Sequence, residues 1–173
     1  EVIQEMAEDM KIVYSPFNGT GNVPVRRILS ELGFKNVYVV PEQEMPDPDF
    51  TTLDYPNPED PKAFTLALKL AKEKNADIVL ATDPDADRLG IYALDTKSGE
   101  YVPFTGNMSG MLIAEYLLRE RTATGRMPEN PALVTTIVTT NMARAISDDY
   151  KVKFIEVLTG FKFIGEQIKL FEQ

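Results

Sequence analysis

The segment ADIVLATDPDADRLG, residues 76–90, joins a predicted buried strand to an acidic loop. Its first part, ADIVLA, is a continuous apolar run, which is typical of a strand buried on both faces of a parallel sheet. Its second part places Asp83, Asp85 and Asp87 within five positions. At ~4 Å separation and an effective dielectric constant near ~20, each carboxylate pair repels by roughly 4 kcal/mol. The loop therefore requires either full solvation or a bound cation.

The acidic loop is compatible with more than one kind of site. Pro84 lacks a backbone N–H and fixes its own φ, so neither a central strand nor a helix interior is expected. A turn that directs the carboxylates inward and a solvated Pro/Asp turn both fit the spacing. An EF-hand loop starting at Asp83 is excluded, because Arg88 and Leu94 stand where Gly and Glu are required. A DxDx[TV] phosphatase motif is poorly supported, because it would end at Leu89.

Arg88 follows the last aspartate directly and adds a potential phosphate ligand to the loop. A guanidinium beside a metal ion binds phosphate oxygens bidentately while the cation neutralises the remaining charge. An ion pair with a neighbouring aspartate explains Arg88 equally well when the loop is taken alone. A cation together with an arginine is typical of phosphoryl-transfer sites.

The composition narrows the available chemistry. The 173 residues are 43% hydrophobic and 26% charged, which suffices for one ordinary core or two small ones. The formal net charge of −9, without a cluster of Lys and Arg, argues against a nucleic-acid partner. The chain has no Cys and no His, so disulfides, thiolate nucleophiles and imidazole chemistry are excluded within it. A hard cation held by aspartate oxygens remains, with Mg²⁺ or Ca²⁺ as natural occupants.

The hydropathy and the two ends of the chain suggest its context. No apolar run approaches the ~18 residues that span a bilayer, and the N-terminus lacks a signal-peptide pattern. We therefore expect no membrane partner and a cytoplasmic location. The chain starts at Glu1, and residues 161–173 keep a helical apolar spacing without a stop signal. We expect it to be an excerpt from a longer protein.

Strands and helices alternate along the chain. Strands are predicted at residues 11–14, 36–40, 76–81, 90–94, 101–104, 132–139 and 152–158. Helices are predicted at residues 23–32, 61–74, 106–120, 141–150 and from 161 onward. Asn107 or Ser109 is the expected N-cap of the helix at 106–120. A long Pro/Asp loop is predicted at residues 41–60. The pattern predicts an α/β fold of two consecutive units with mixed, mostly parallel sheets. The expected domains are residues 1–102, carrying the acidic loop, and residues 103–173.

Two glycine-containing loops are further candidates for phosphate binding. SPFNGTGN, residues 15–22, matches neither the P-loop nor the GxGxxG pattern, so it is either a connection or a turn whose N–H groups at the start of the following helix face an anion. In LTGFKFIG, residues 158–165, a lysine follows the glycine that leads into a helix, although a capped helix with a solvated lysine is the simpler interpretation. Ligands of α/β sheets bind beyond the carboxyl ends of strands, where the glycine turn and the acidic loop both fall.

Three motifs, taken in order, resemble one enzyme family. The chain resembles the α-D-phosphohexomutases in the segments SPFNGTGN (15–22), TDPDADR (82–88) and TGFKFIGE (159–166). The PNPE segment (56–59) and DPDADR look most like the phosphoglucomutase and phosphomannomutase branches. The resemblance covers nearly the whole chain and implies the second domain and the first part of the third domain of a four-domain enzyme with a central cleft.

The resemblance also implies roles for individual residues. The Mg²⁺ ligands would be Asp83, Asp85 and Asp87. Arg88 would contact the phosphoserine or the bound sugar phosphate. The substrate loop of the third domain would comprise Thr159, Gly160, Phe161 and Lys162. The family often has His where this chain has Asn18, so a contact made by that imidazole is not expected here.

The implied reaction moves phosphate from an enzyme phosphoserine to a hexose monophosphate, giving a bisphosphate that reorients and returns its other phosphate to the serine. The phosphoserine, sugar-selecting and distal phosphate-binding loops have no match in this chain, so we expect the chain alone to be inactive. Glucose 1-phosphate, mannose 1-phosphate and pentose phosphates are all candidate substrates, and TGFKFIG favours glucose or pentose. A non-catalytic α/β module with a structural cation and, less strongly, an HAD-like phosphatase are the alternatives.

Overall fold

The structure is a computed structural model and describes residues 2–172. The chain divides into two compact units, Glu1–Gly106 and Asn107–Gln173. The elements of the first unit are α1 (Val2–Ala7), β1 (Lys11–Ser15), α2 (Asn22–Glu31), β2 (Asn36–Val39), α3 (Pro41–Glu44), α4 (Thr65–Lys74), β3 (Ile78–Thr82), β4 (Leu89–Asp95) and β5 (Glu100–Phe104). From Gly106 onward follow α5 (Gly106–Ala123), β6 (Ala132–Thr136), α6 (Met142–Asp149), β7 (Lys153–Val157) and α7 (Phe161–Phe171).

The first unit is built on a five-stranded mixed sheet in the order β2-β1-β3-β4-β5. Strand β1 is parallel to both β2 and β3, with Val13 opposite Tyr38 and Val79. Strand β4 pairs antiparallel with both β3 and β5. The second unit contains a two-stranded parallel sheet of β6 and β7. The predicted α/β fold with mixed, mostly parallel sheets is therefore confirmed.

The centre of the first sheet is buried because β1 and β3 carry apolar residues on successive positions. Val13 and Val79 are fully buried, and α4 packs over these strands through the fully buried Ala67 and Ala71. Small residues at this helix face permit close approach of helix and sheet. Because β1 and β3 are parallel, the loops that follow them leave the same edge of the sheet. This arrangement brings the glycine turn and the acidic loop together.

The long loop at residues 41–60 is anchored to the sheet rather than free. It opens with the short helix α3, which the sequence analysis did not predict. Gln43 is fully buried in this helix, and its Oε1 accepts a hydrogen bond from Ser15 Oγ at 2.7 Å. At the other end of the loop, Pro58 packs directly over Gly90 of β4. The loop is therefore held to the end of β1 by its first residues and to β4 by its last residues.

Gly90→Ala is expected to destabilise the first unit by about 1–3 kcal/mol, because overpacking forces backbone shifts. A Cβ at this position would lie 2.6 Å from Pro58 O and 2.7 Å from Phe64 Cζ. Urea denaturation followed by circular dichroism measures the change. The matched control is Gly110→Ala in α5, where a Cβ meets nothing within 4 Å. An unchanged unfolding midpoint for Gly90→Ala would contradict the close packing of this loop.

The second unit is organised around β6 and β7. Helix α6 packs against both strands and α7 packs against β6. Met111, Ala143 and Val152 are its buried apolar side chains. Among residues 2–172, no helix combines the length and the apolar character required to cross a membrane.

Several predicted boundaries differ from the structure. The strand expected at 132–139 ends at Thr136, because the Thr139 N–H turns back to the Thr136 carbonyl at 2.8 Å. The N-cap prediction for α5 is wrong, because Asn107 and Ser109 lie inside the helix. The Asn107 side chain instead accepts a backbone N–H from the loop before α6. The helix expected at 61–74 begins as a 3₁₀ turn and becomes α-helical at Thr65.

Candidate metal centre

The acidic loop leaves β3 at Thr82 and forms a tight turn. The Ala86 N–H donates to the Asp83 carbonyl at 3.0 Å, and Ala86 adopts a left-handed φ of 60°. One oxygen from each of Asp83, Asp85 and Asp87 lies within 4.8 Å of the others. The structure thus brings together the three carboxylates that the sequence singled out.

Asp83 is held differently from the other two aspartates. Its side chain is fully buried, whereas that of Asp87 is 73% exposed. The Arg88 backbone N–H donates to Asp83 Oδ1 at 2.9 Å, and Arg88 Nε donates to Asp83 Oδ2 at 2.7 Å. One residue therefore fixes the direction of both oxygens of the buried carboxylate. Each oxygen keeps a further lone pair for a cation.

The hydrogen bonds and the charges shift the acidities within the loop. Burial raises the pKa of Asp83, but hydrogen bonds from the Arg88 backbone and side chain outweigh burial, and the net pKa lies below its usual value. The negative charge of Asp85 raises the pKa of Asp87, with smaller contributions from burial and from Asp83. The hydrogen bond to Asp83 raises the pKa of Arg88. Asp83 and Arg88 are therefore an ion pair at neutral pH, and the repulsion between Asp85 and Asp87 is left for a cation to offset.

The donor set fits a small, hard divalent cation. Mg²⁺ takes oxygen ligands at about 2.0–2.1 Å, so opposite ligands lie roughly 4 Å apart. The carboxylate oxygens already fall within 4.8 Å of one another, and Asp83 is held in place before any ion arrives. The absence of Cys and His from the chain disfavours softer metals.

Asn57 belongs to this site, although it was not among the candidate residues predicted from the sequence. Arg88 Nη1 donates to Asn57 Oδ1 at 3.2 Å, although the two residues are 31 positions apart. The same oxygen accepts the Glu59 N–H at 3.0 Å, which fixes the amide within its own loop. Its sequence signal was its place in the PNPE segment.

The sequence offered an ion pair with a neighbouring aspartate as an alternative explanation of Arg88, and the structure contains this ion pair with Asp83. The ion pair leaves part of the guanidinium available. The Arg88 side chain is 49% exposed while its Nε is paired with Asp83. Among residues 2–172, no hydrogen bond engages Arg88 Nη2. A held guanidinium with a free nitrogen is suited to bind an anion beside the carboxylates.

The glycine turn lies against the acidic loop. The N–H groups of residues 18, 19 and 20 donate to the carbonyls of Gln43, Pro16 and Pro84 at 2.9, 2.9 and 2.8 Å. These three donors are occupied by protein carbonyls and are not available to an anion. The N–H groups at the start of α2, which begins at Asn22, are not among them, so anion binding there stays a prediction. The contact with Pro84, which stands between two of the clustered aspartates, had no signal in the local sequence.

The other candidate residues lie in the second unit. Thr159, Gly160, Phe161 and Lys162 form the junction between β7 and α7, and α7 begins at Phe161. The Phe161 side chain is 78% exposed, and Gly160 has a φ of 130°. Lys162 Nζ lies 4.9 Å from the centroid of the Phe163 ring. The segment is therefore accessible to a ligand within its own unit.

Comparison with known proteins gives matches over both units. Residues 1–96 match the family described as phosphoglucomutase/phosphomannomutase, alpha/beta/alpha domain II, and residues 105–172 match domain III of the same family. The chain is 38% identical over 161 residues to a phosphoglucomutase of Staphylococcus epidermidis, covering 93% of this chain and 29% of that protein. A phosphoglucomutase of Staphylococcus aureus is 36% identical over the same length and is covered to 28%.

Solved structures share the fold at lower sequence identity. A putative phosphomannomutase from Thermus thermophilus superposes with a TM-score of 0.71 at 21% identity, covering 96% of this chain and 35% of that chain. The Aspergillus fumigatus N-acetylphosphoglucosamine mutase, solved in complex with GlcNAc-6P and magnesium, gives a TM-score of 0.59 at 18% identity, with 93% and 31% coverage.

Proposed function

The chain belongs to the phosphoglucomutase/phosphomannomutase family, and we therefore propose that it is the cation-binding part of a phosphosugar mutase. The mutase interconverts hexose 1-phosphate and hexose 6-phosphate through an enzyme phosphoserine and a sugar bisphosphate. The single observation that carries the proposal is the pairing of the clustered carboxylates with a held, partly free arginine. The chain covers only 29% of its phosphoglucomutase relative from Staphylococcus epidermidis, so the whole reaction belongs to the longer protein.

Asp83, Asp85 and Asp87 are the proposed Mg²⁺ ligands. When bound, the ion supplies positive charge against the oxygens of the transferring phosphoryl group. Arg88 binds a phosphate oxygen of the phosphoserine or of the sugar phosphate through the nitrogen that its ion pair leaves free. The magnesium named with the Aspergillus fumigatus enzyme supports the choice of ion.

Residues 1–102 form the proposed metal-binding domain, and residues 103–173 form the first part of the domain that contributes to substrate binding. In the second of these, Thr159, Gly160, Phe161 and Lys162 bind the sugar phosphate. The exposure of Phe161 and the positive charge of Lys162 support this role. Glucose 1-phosphate, mannose 1-phosphate and pentose phosphates are the substrate candidates, and the phosphoglucomutase relatives favour glucose 1-phosphate.

The mutase is favoured over a non-catalytic module with a structural cation. A structural cation requires only the carboxylates, whereas here Arg88 is also aligned by Asp83 and Asn57. It is favoured over an HAD-like phosphatase because Leu89 occupies the last position of that motif and because both units match mutase domains.

The expected result with the 173-residue chain alone is no conversion of glucose 1-phosphate to glucose 6-phosphate above background, because no phosphoserine loop is recognised in it. The full-length protein that contains the chain is expected to catalyse the conversion with Mg²⁺ and to lose it with EDTA. A glucose 6-phosphate dehydrogenase-coupled assay measures both.

Multiple turnovers by the 173-residue chain would contradict the assignment of the catalytic serine to another domain. A full-length protein inactive on glucose 1-phosphate is tested next on mannose and pentose phosphates. Failure on all three substrate classes would make the non-catalytic module the better explanation.

A further inference from the structure

We propose that residues 17–21 of the glycine turn form a clamp that positions the acidic loop for cation binding, and that Thr20 is the positioning residue of this clamp. The inference rests on the proposed role of Asp83, Asp85 and Asp87 as cation ligands. It assigns a function to a turn whose sequence matches no phosphate-binding pattern.

The clamp holds one carbonyl of the acidic loop with two hydrogen bonds. The Thr20 N–H donates to Pro84 O at 2.8 Å, and Thr20 Oγ1 donates to the same oxygen at 3.1 Å. The proline ring already fixes φ of Pro84. Fixing its carbonyl direction therefore also fixes ψ, and with it the direction in which the backbone enters Asp85. The two hydrogen bonds thus determine the position of the backbone at Asp85, which is a proposed cation ligand.

The turn also touches the backbone of Pro84 directly. A Cβ at Gly19 would lie 2.4 Å from Pro84 Cα, 2.5 Å from its O and 2.8 Å from its carbonyl carbon. These are backbone atoms, so a side chain at residue 19 would displace the peptide between two of the clustered aspartates. Gly19 is required here by close approach.

The clamp itself is rigid because its strained residues are fixed by their surroundings. Phe17 and Asn18 have positive φ values of 45° and 58°. Such conformations are strained and persist where neighbouring groups determine them. Asn18 Nδ2 donates to the Met45 carbonyl at 2.7 Å, and Phe17 is fully buried with its ring edge-on to Phe64. Because the turn is held in this way, the hydrogen bonds from Thr20 hold Pro84 in a fixed position.

The test measures cation affinity and stability separately, because a merely structural turn would change stability alone. Mn²⁺ is the probe, titrated into the 173-residue chain by calorimetry, with Mg²⁺ competition in a second titration. Thr20→Val keeps the shape of the side chain and removes its hydroxyl donor. Thr20→Ser keeps the donor and serves as the conservative rescue.

The expected result for Thr20→Val is a dissociation constant for Mn²⁺ raised roughly 3- to 10-fold, because the ion must then order a Pro84 carbonyl that the hydroxyl no longer holds. The melting temperature reports separately the loss of the hydrogen bond from the metal-free fold. Thr20→Ser is expected to bind within about 2-fold of wild type. Gly19→Ala is expected to weaken binding about 10-fold or more, because it shifts the ligand backbone. Gly110→Ala, where a Cβ meets nothing within 4 Å, is the matched glycine control.

The outcomes separate the clamp from the cation site. If wild type binds Mn²⁺ and Thr20→Val binds equally well, the clamp is overturned while the cation site stands. If Thr20→Ser binds as weakly as Thr20→Val, the hydroxyl is not the positioning group and the proposal is overturned. If wild type binds no Mn²⁺, the proposed cation site fails, and the clamp fails with it. Weakened binding by Thr20→Val with rescue by Thr20→Ser supports the clamp.

Discussion

Asp85→Asn is expected to weaken Mg²⁺ or Mn²⁺ binding by roughly 100-fold or more, since even a change next to a metal ligand costs about 10- to 100-fold in affinity. The substitution replaces a charged oxygen of the three-carboxylate cluster with a neutral one. Calorimetric titration of the 173-residue chain measures the loss. In the full-length protein the same change is expected to lower turnover of glucose 1-phosphate by about 100- to 1,000-fold.

The sign of the stability change distinguishes a ligand from a structural residue. Asp85 is exposed, and its charge raises the pKa of Asp87, so the two carboxylates repel in the absence of a cation. Asp85→Asn relieves that repulsion, and without metal its free energy of unfolding is expected to equal or slightly exceed that of wild type. Stabilisation by added Mg²⁺ is expected to disappear, because only an ion that binds the folded state stabilises it.

The matched control for this prediction is Glu73→Gln on α4. It makes the same change in net charge at an exposed position, so wild-type cation affinity is expected. Equal weakening by Glu73→Gln would show that overall charge, not ligation, controls binding. Wild-type affinity in Asp85→Asn would remove Asp85 from the site.

The fold and the acidic cluster could be predicted because their signals are local. The apolar run before Asp83 indicates a buried strand through its continuity, and Pro84 excludes regular structure immediately afterwards. The clustering of Asp83, Asp85 and Asp87 then requires only one tight turn. The composition alone excluded Cys and His chemistry, because neither residue occurs in the chain.

The residues that support the cluster could not be predicted in the same way, because they come from distant parts of the chain. Thr20 reaches the acidic loop across 64 residues and Asn57 reaches it across 31. Both contacts depend on the parallel pairing of β1 with β3 and on the path of a long loop. No periodicity or spacing in one sequence encodes these contacts.

Phe64→Ala is expected to destabilise the first unit by about 3–5 kcal/mol, the range for removing a buried aromatic side chain. Phe64 is fully buried at the start of α4. Its ring lies 4.7 Å from the Tyr92 ring on β4 and 5.6 Å from the Phe17 ring, measured between centroids. The side chain therefore joins the helix layer, the sheet and the glycine turn, and a cavity there cannot close by a local shift.

Urea denaturation followed by far-ultraviolet circular dichroism measures this loss, and Tyr55→Ala is its control in the same unit. Tyr55 is 60% exposed, so its removal is expected to change the free energy of unfolding by no more than ~0.5 kcal/mol. Because Phe17 begins the clamp and rests on Phe64, the folded fraction of Phe64→Ala is also expected to bind Mn²⁺ more weakly. A loss of unfolding free energy below ~1 kcal/mol would mean that α4, the sheet and the glycine turn do not pack around the Phe64 ring.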